Sequence, residues 1–180
     1  MTTIASARQY VEQLKARVFR CSSIAPEDRI TLPSRFDETR STWVVLRGFD
    51  APEELFGNDP AVFSPLELTH GGSMSLHVRV REIQTQRSRA VEVVTYRLAL
   101  VGIPDNPNNI QSLRFDKPEG LPRGRGWDEE LGDNPEHPHA HVHFNFFPPG
   151  DNDCRMPTAS VCPILLLSAF DYWYYTTFGS

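Results

Sequence analysis

The sequence predicts an α+β domain: an antiparallel meander of at least four strands flanked by an N-terminal helix and an apolar C-terminal helix. Three observations lead there. Residues 4–20 carry an apolar stripe at helical spacing, segments between about 42 and 147 alternate polar with apolar residues, and the run from about 160 to 177 is almost continuously apolar. A chain of 180 residues builds one sizeable core and is short for two, so a single domain over 1–180 is expected.

In the first helix, Tyr10, Val11, Leu14, Val18 and Phe19 are expected on one face, with Glu12, Gln13, Lys15 and Arg17 elsewhere. Residues 22–41 are polar and read as a loop. TWVVLRG (42–48) reads as a short strand, and DAPEELFG after it as a short helix, with Asp50 as N-cap, Glu53 in a capping-box relation and Gly57 as a stop. The clearest strand is SMSLHVRVREI, where Met74, Leu76, Val78 and Val80 alternate with Ser75, His77, Arg79 and Arg81. QTQRSR turns the chain into a long strand, AVEVVTYRLALVG, and after the PDNPNN loop IQSLRFD forms another. Residues 117–136, rich in proline, glycine and acids, make a long excursion of the kind that often carries function. A histidine-bearing strand follows, and a helix begins near Ser160, where Pro163 is tolerated because the first turn has no intrahelical N–H bond to lose.

The net charge of −5 and pI near 5.7 argue against a molecule that traps nucleic acid by overall charge. The average hides an asymmetry: Ser73 to Arg125 holds nine Arg and Lys against five Asp and Glu, enough for a local phosphate-binding face. Cys21, Cys154 and Cys162 share no C-x-x-C spacing, so neither a disulfide framework nor a zinc ribbon is expected. The N-terminus lacks the apolar segment of a secretory signal, and the C-terminal run is short for a membrane span and interrupted by Pro163 and Asp171. A cytoplasmic protein that does not enter the membrane is expected.

EHPHAHVHFNFFPPG (136–150) holds four of the six histidines. His137, His139, His141 and His143 recur at every second position, which in a strand places them on one face, neighbours about 7 Å apart. Such a face can be merely a wet strand surface. Alternatively the H-x-H spacing can set two imidazoles on one ion, so that His139, His141 and His143 are the candidate metal ligands, completed by His77 or Asp116. HAHVHFN (139–145) also fits the histidine-triad signature of nucleotide hydrolases and transferases, with His141 as the residue attacking phosphorus, although Asn145 stands where that pattern has an apolar residue.

A longer ordered set of motifs runs through the second half: YRLALVG (96–102), LRFD (113–116), HPHAHVH (137–143) and RMPT (155–158), ahead of the aromatic final helix. This set resembles small bacterial families of unknown function with an Arg-x-Asp, His-Pro-x-x-His-x-His, Arg-x-Pro pattern, and is more distantly similar to TumE-type toxins of toxin–antitoxin modules. The resemblance spans roughly residues 90–178. It implies a toxin- or phage-defence-type protein acting on RNA or a nucleotide, with Arg114, Asp116, His137, His141, His143, Arg155 and Pro157 at the matched positions. The C-terminal helix, apolar almost all round, is expected to be deeply buried or to lie partly in a subunit interface, so a protein partner, an antitoxin or a second copy, is expected to meet the chain through it.

The chemistry of these residue types is consistent with that reading. Two histidines titrating near neutrality can serve as base and acid on one phosphodiester; His141 and His143 are the leading pair, with His137 beside them. Arg114 and Arg155 can hold phosphate oxygens, and Asp116 can fix a histidine tautomer. His139 and Trp127 are further candidates for substrate contact, Trp127 by stacking on a base, although an aromatic anchor packed on the domain is the commoner role for such a loop residue. Arg79, Arg81, Arg87 and Arg89 either track a phosphate backbone or form a solvated strand face. This scheme requires no cofactor, with a divalent metal on the histidine row as the open alternative. A non-enzymatic metal- or partner-binding module remains the third class of function.

Overall fold

Ser6 starts the fold. Its backbone is extended (φ −147°, ψ 154°) and its hydroxyl accepts the Gln9 N–H at 3.1 Å, capping the helix α1, Ala7–Phe19. The computed structural model describes residues 6–30, 32–49, 53–84, 89–106, 110–117, 140–146, 154–157 and 162–179; at 141, 143–146 and 154–157 it describes strand course and register. After α1 come the strands β1 (Ser34–Asp37) and β2 (Thr42–Arg47), two single-turn helices, α2 (Glu53–Phe56) and α3 (Pro60–Phe63), and the short strand β3 (Leu66–Glu67). Next come β4 (Ser73–Gln84), β5 (Arg89–Val101), β6 (Ile110–Lys117), β7 (His141–Phe146), β8 (Cys154–Pro157) and the helix α4 (Pro163–Phe178).

The described strands form one antiparallel sheet of order β1-β2-β4-β5-β6-β7-β8, with β3 beside β2 on the same edge of β4. From β4 to β8 the order is a plain meander. One face of this sheet is the core: Met74, Leu76, Val78 and Val80 of β4 and Tyr96, Leu98 and Leu100 of β5 lie under α1 and α4. The other face carries His77 and Arg79 of β4, Arg97 of β5 and Arg114 and Asp116 of β6. Among the described residues its β2 end has an apolar cover, where Val44 and Leu46 pack with Phe56 and Val62.

The two helices are tied to each other and to the sheet by polar contacts as well as by burial. Asp171 of α4 takes the Arg17 guanidinium at 2.9 Å on Oδ2, while its Oδ1 accepts the Ser23 N–H at 2.9 Å, the Ser23 hydroxyl at 2.8 Å and the Cys21 thiol at 3.2 Å. Burial alone would raise this carboxyl, but the Ser23 N–H and hydroxyl, the Cys21 thiol and Arg17 outweigh it and hold Asp171 below its ordinary value. Burial together with the bond to Asp171 pushes the Cys21 thiol up to about 12, which makes it inert rather than nucleophilic. Tyr174, fully buried, donates its hydroxyl to the Gly71 carbonyl at 2.7 Å and accepts the His70 N–H at 3.1 Å, so α4 also clamps the turn that enters β4. That turn needs glycine: Gly72 has φ +85°, and a Cβ there would lie 2.8 Å from the Gly102 carbonyl oxygen.

Several expectations need correction. Phe19 is 60% exposed, because the buried stripe of α1 runs through Ala7, Tyr10, Val11, Leu14 and Val18, and one further residue turns about 100° off it. The loop expected over 22–41 contains β1, an edge strand whose half-exposed SRFD shows no clean alternation. The sheet runs past 147 to β8. The short helix expected over DAPEELFG is Glu53–Phe56, with Asp50 outside the described residues. The final helix starts at Pro163, three residues later than expected, with the proline in its first turn as anticipated.

Candidate functional site

The polar face of the meander is organised in rows across the strands. Where antiparallel strands pair, directly opposite positions have Cβ atoms about 5 Å apart on the same face. One row passes from Leu46 to His77, Arg97, Asp116, His141 and Pro157. The next passes from Ser75 to Ala99, Arg114, His143 and Arg155. Thus the register sets His141 opposite Asp116 and His143 between Arg114 and Arg155.

Asp116 is the centre of what the described side chains show. It is 6% exposed and binds two guanidiniums: Arg97 Nε donates to Oδ1 at 2.9 Å, and Arg114 Nε donates to Oδ2 at 2.7 Å. The two arginine side chains remain 50% and 42% exposed. The Arg97 guanidinium also lies over the Phe49 ring, 5.5 Å from its centroid, a cation–π arrangement. Beside Arg97 in the row, burial and then the Arg79 and Arg97 charges depress the His77 imidazole to about 4, so it is neutral at physiological pH.

Arg79, Arg81 and Lys117 of this region are engaged elsewhere. Arg79 pairs with Asp37 at 3.1 Å and Arg81 with Glu92 at 2.6 Å, so these two belong to strand-pairing ion pairs rather than to an open phosphate track. Lys117 lies opposite Tyr96, in the register of the core face, and donates to the Val93 carbonyl; burial holds its ammonium below its ordinary value. Arg87 lies outside the described residues.

Of the residues singled out in the sequence, Arg114 and Asp116 are brought into direct contact, and His141, His143 and Arg155 are brought into register with them. His137, His139 and Trp127 lie outside the described residues. Among the described residues no group of three His, Cys, Asp or Glu is placed to hold a metal. His77 and Asp116, both named as completing ligands, stand two strands apart with Arg97 between them, about 10 Å at ordinary strand spacing. The sequence reading missed Arg97 and Phe49, and gave His77 a role only as a metal ligand. Arg97 had a usable signal: it is the one charge within VVTYRLALV, a stretch whose other positions are apolar or uncharged.

The arrangement offers cationic donors on a buried carboxylate, next to two histidine positions and a third arginine position. That is a set of groups suited to a phosphate, with acid–base groups in the adjoining strand. Comparison with known proteins adds no relative: no family model matches the chain, and no curated protein or solved structure matches it significantly.

Proposed function

We propose that the chain is a toxin- or phage-defence-type protein that cleaves RNA, or a nucleotide phosphodiester, by histidine acid–base chemistry without a metal. The register that sets His141 opposite Asp116 and His143 between Arg114 and Arg155 carries this reading. One of the two histidines takes the proton of the ribose 2′-hydroxyl, whose oxygen attacks phosphorus. The P–O5′ bond breaks, the other histidine gives its proton to the departing oxygen, and a 2′,3′-cyclic phosphate remains. Arg114 and Arg155 stabilise the charge growing on the phosphoryl oxygens, and Asp116 orients the neighbouring imidazole.

The test is RNA cleavage by the purified full chain in the presence of a chelator. His141→Ala and His143→Ala should each lower the rate on the order of 100-fold or more. Wild-type rates in both variants would overturn the reading. Cleavage of dinucleoside polyphosphates or adenosine phosphoramidates in preference to RNA would turn it towards a histidine-triad-like hydrolase. Metal bound stoichiometrically in the purified protein would favour the metal-binding alternative.

The reading includes a protein partner. On α4, Leu165, Tyr172 and Tyr175 are 62%, 75% and 55% exposed, an unusual outward show for a helix that buries Leu166, Leu167, Phe170 and Tyr174 beneath it. A second copy or an antitoxin would meet this face. A strictly monomeric chain in sedimentation that also ignores a co-expressed antitoxin would remove that part of the proposal. Among the described residues no helix is long and apolar enough to cross a membrane.

A further inference from the structure

The cation that the acid–base scheme does not use is Arg97. Arg97 and Arg114 stand on the same carboxylate, Arg97 Nε on Oδ1 of Asp116 at 2.9 Å and Arg114 Nε on Oδ2 at 2.7 Å. Arg79 differs from both, being buried and paired with Asp37 at 3.1 Å. A guanidinium carries five N–H donors in a rigid fork. Arg97 engages Asp116 through Nε, which fixes the plane of the fork while half of the side chain stays open to solvent. The Phe49 ring supports the same group from a second side. A fork held at both ends has lost most of its rotamer freedom before any ligand arrives, so less entropy is lost on binding.

We propose that Arg97 and Arg114, oriented by Asp116 and, at Arg97, by Phe49, form a binding site for a phosphate group of an RNA or nucleotide ligand. The identity of the ligand rests on the phosphodiester chemistry proposed above; the site itself rests on the Arg97–Asp116–Arg114 geometry. Arg97 lies diagonal to Arg114 on the neighbouring strand, one row removed from His143. It is therefore placed to hold the phosphate being cleaved or the one next to it, as a binding rather than an acid–base group.

The experiment separates binding from cleavage by using a 2′-O-methyl RNA oligonucleotide, which lacks the attacking hydroxyl, with a fluorescein label read by anisotropy. Wild-type protein should bind it, and pyrophosphate should compete. Arg97→Gln should weaken binding about tenfold, as expected for loss of one charge-assisted donor pair, and lower the slope of log K against log salt by about 0.7. Arg97→Lys, which keeps the charge but not the fork, should fall between the two and serves in place of Arg97→Gln should that variant not fold. Failure of the wild type to bind either probe overturns the proposal, as does wild-type affinity in folded Arg97 variants. Arg97-dependent binding in a protein that cleaves no RNA sustains the phosphate site while refuting the nuclease. Cleavage with binding indifferent to Arg97 does the reverse.

Discussion

His77 provides a test of the electrostatics of the polar row that needs no substrate. Its imidazole is depressed to about 4 from an ordinary 6.5, by burial first and then by the Arg79 and Arg97 charges. The unfolded chain therefore takes up a proton at His77 as pH falls through 6.5, whereas the folded chain resists until about 4. Above the unfolded value the group costs nothing; between the two values stability falls as pH falls. At pH 4.5 the linkage amounts to about 2.5 kcal/mol relative to pH 7.5. His77→Gln removes the titration and keeps a polar side chain. Urea unfolding of wild type and variant, from pH 7.5 to 4.5, should show the wild type losing about 2.5 kcal/mol more than the variant over that interval. Taking the difference cancels the other histidines and the carboxylates common to both proteins. Parallel pH dependence in the two would show that His77 is solvated and would refute its burial between β2 and β5.

Two further outcomes test the frame that holds the site. Asp171→Ala removes the acceptor shared by Arg17, Cys21 and Ser23, and should cost on the order of 3 kcal/mol in chemical unfolding at neutral pH. Because the Asp171 carboxyl is held below its ordinary 3.8, the charge-dependent part of that difference is present above this value and disappears as pH drops through the lower folded value. Gly72→Ala forces a side chain into positive φ and against the Gly102 and Val101 carbonyl oxygens, at 2.8 and 2.9 Å. It should destabilise by roughly 1–3 kcal/mol, and wild-type stability would refute the close approach of Gly72 to the Gly102 and Val101 carbonyls.

Much of this architecture is legible in local pattern. The alternation in SMSLHVRVREI separates the apolar core face, with Met74, Leu76, Val78 and Val80 buried, from a polar face on which Arg79 is nonetheless buried too. Where pattern fails, the cause is length or register. SRFD and CRMP are four-residue strands, too short to show a period, and they are strands because β2 and β7 offer them partners. The site was half legible for the same reason. Arg-x-Asp placed Arg114 and Asp116 two apart on one face, which one strand determines, and their contact follows from it. Arg97 meets Asp116 only through the pairing of β5 with β6 across 19 positions of sequence, and no local spacing encodes that number.

The placement of the apolar cover bears on how the row of charges would act on the proposed phosphate ligand. Among the described residues, Phe56 and Val62 cover only the β2 end of the polar face. His77 lies next to that cover in the row, opposite Leu46, and Arg97 follows it at half exposure with Phe49 beneath its guanidinium. At such a boundary the effective dielectric is below that of water on one side, while the other side admits a ligand, so a fixed charge acts more strongly on what binds than it would on an open sheet. Asp116 is 8% exposed at its side chain while its two arginines are 50% and 42% exposed. The negative charge is thus inside and the positive charge outside, which is the order an anion-binding surface requires. Reversing that order by Asp116→Arg with Arg97→Asp would keep the net charge and should abolish phosphate binding. Retained binding of pyrophosphate by the folded exchange variant would show that net charge, and not this layering, attracts the ligand.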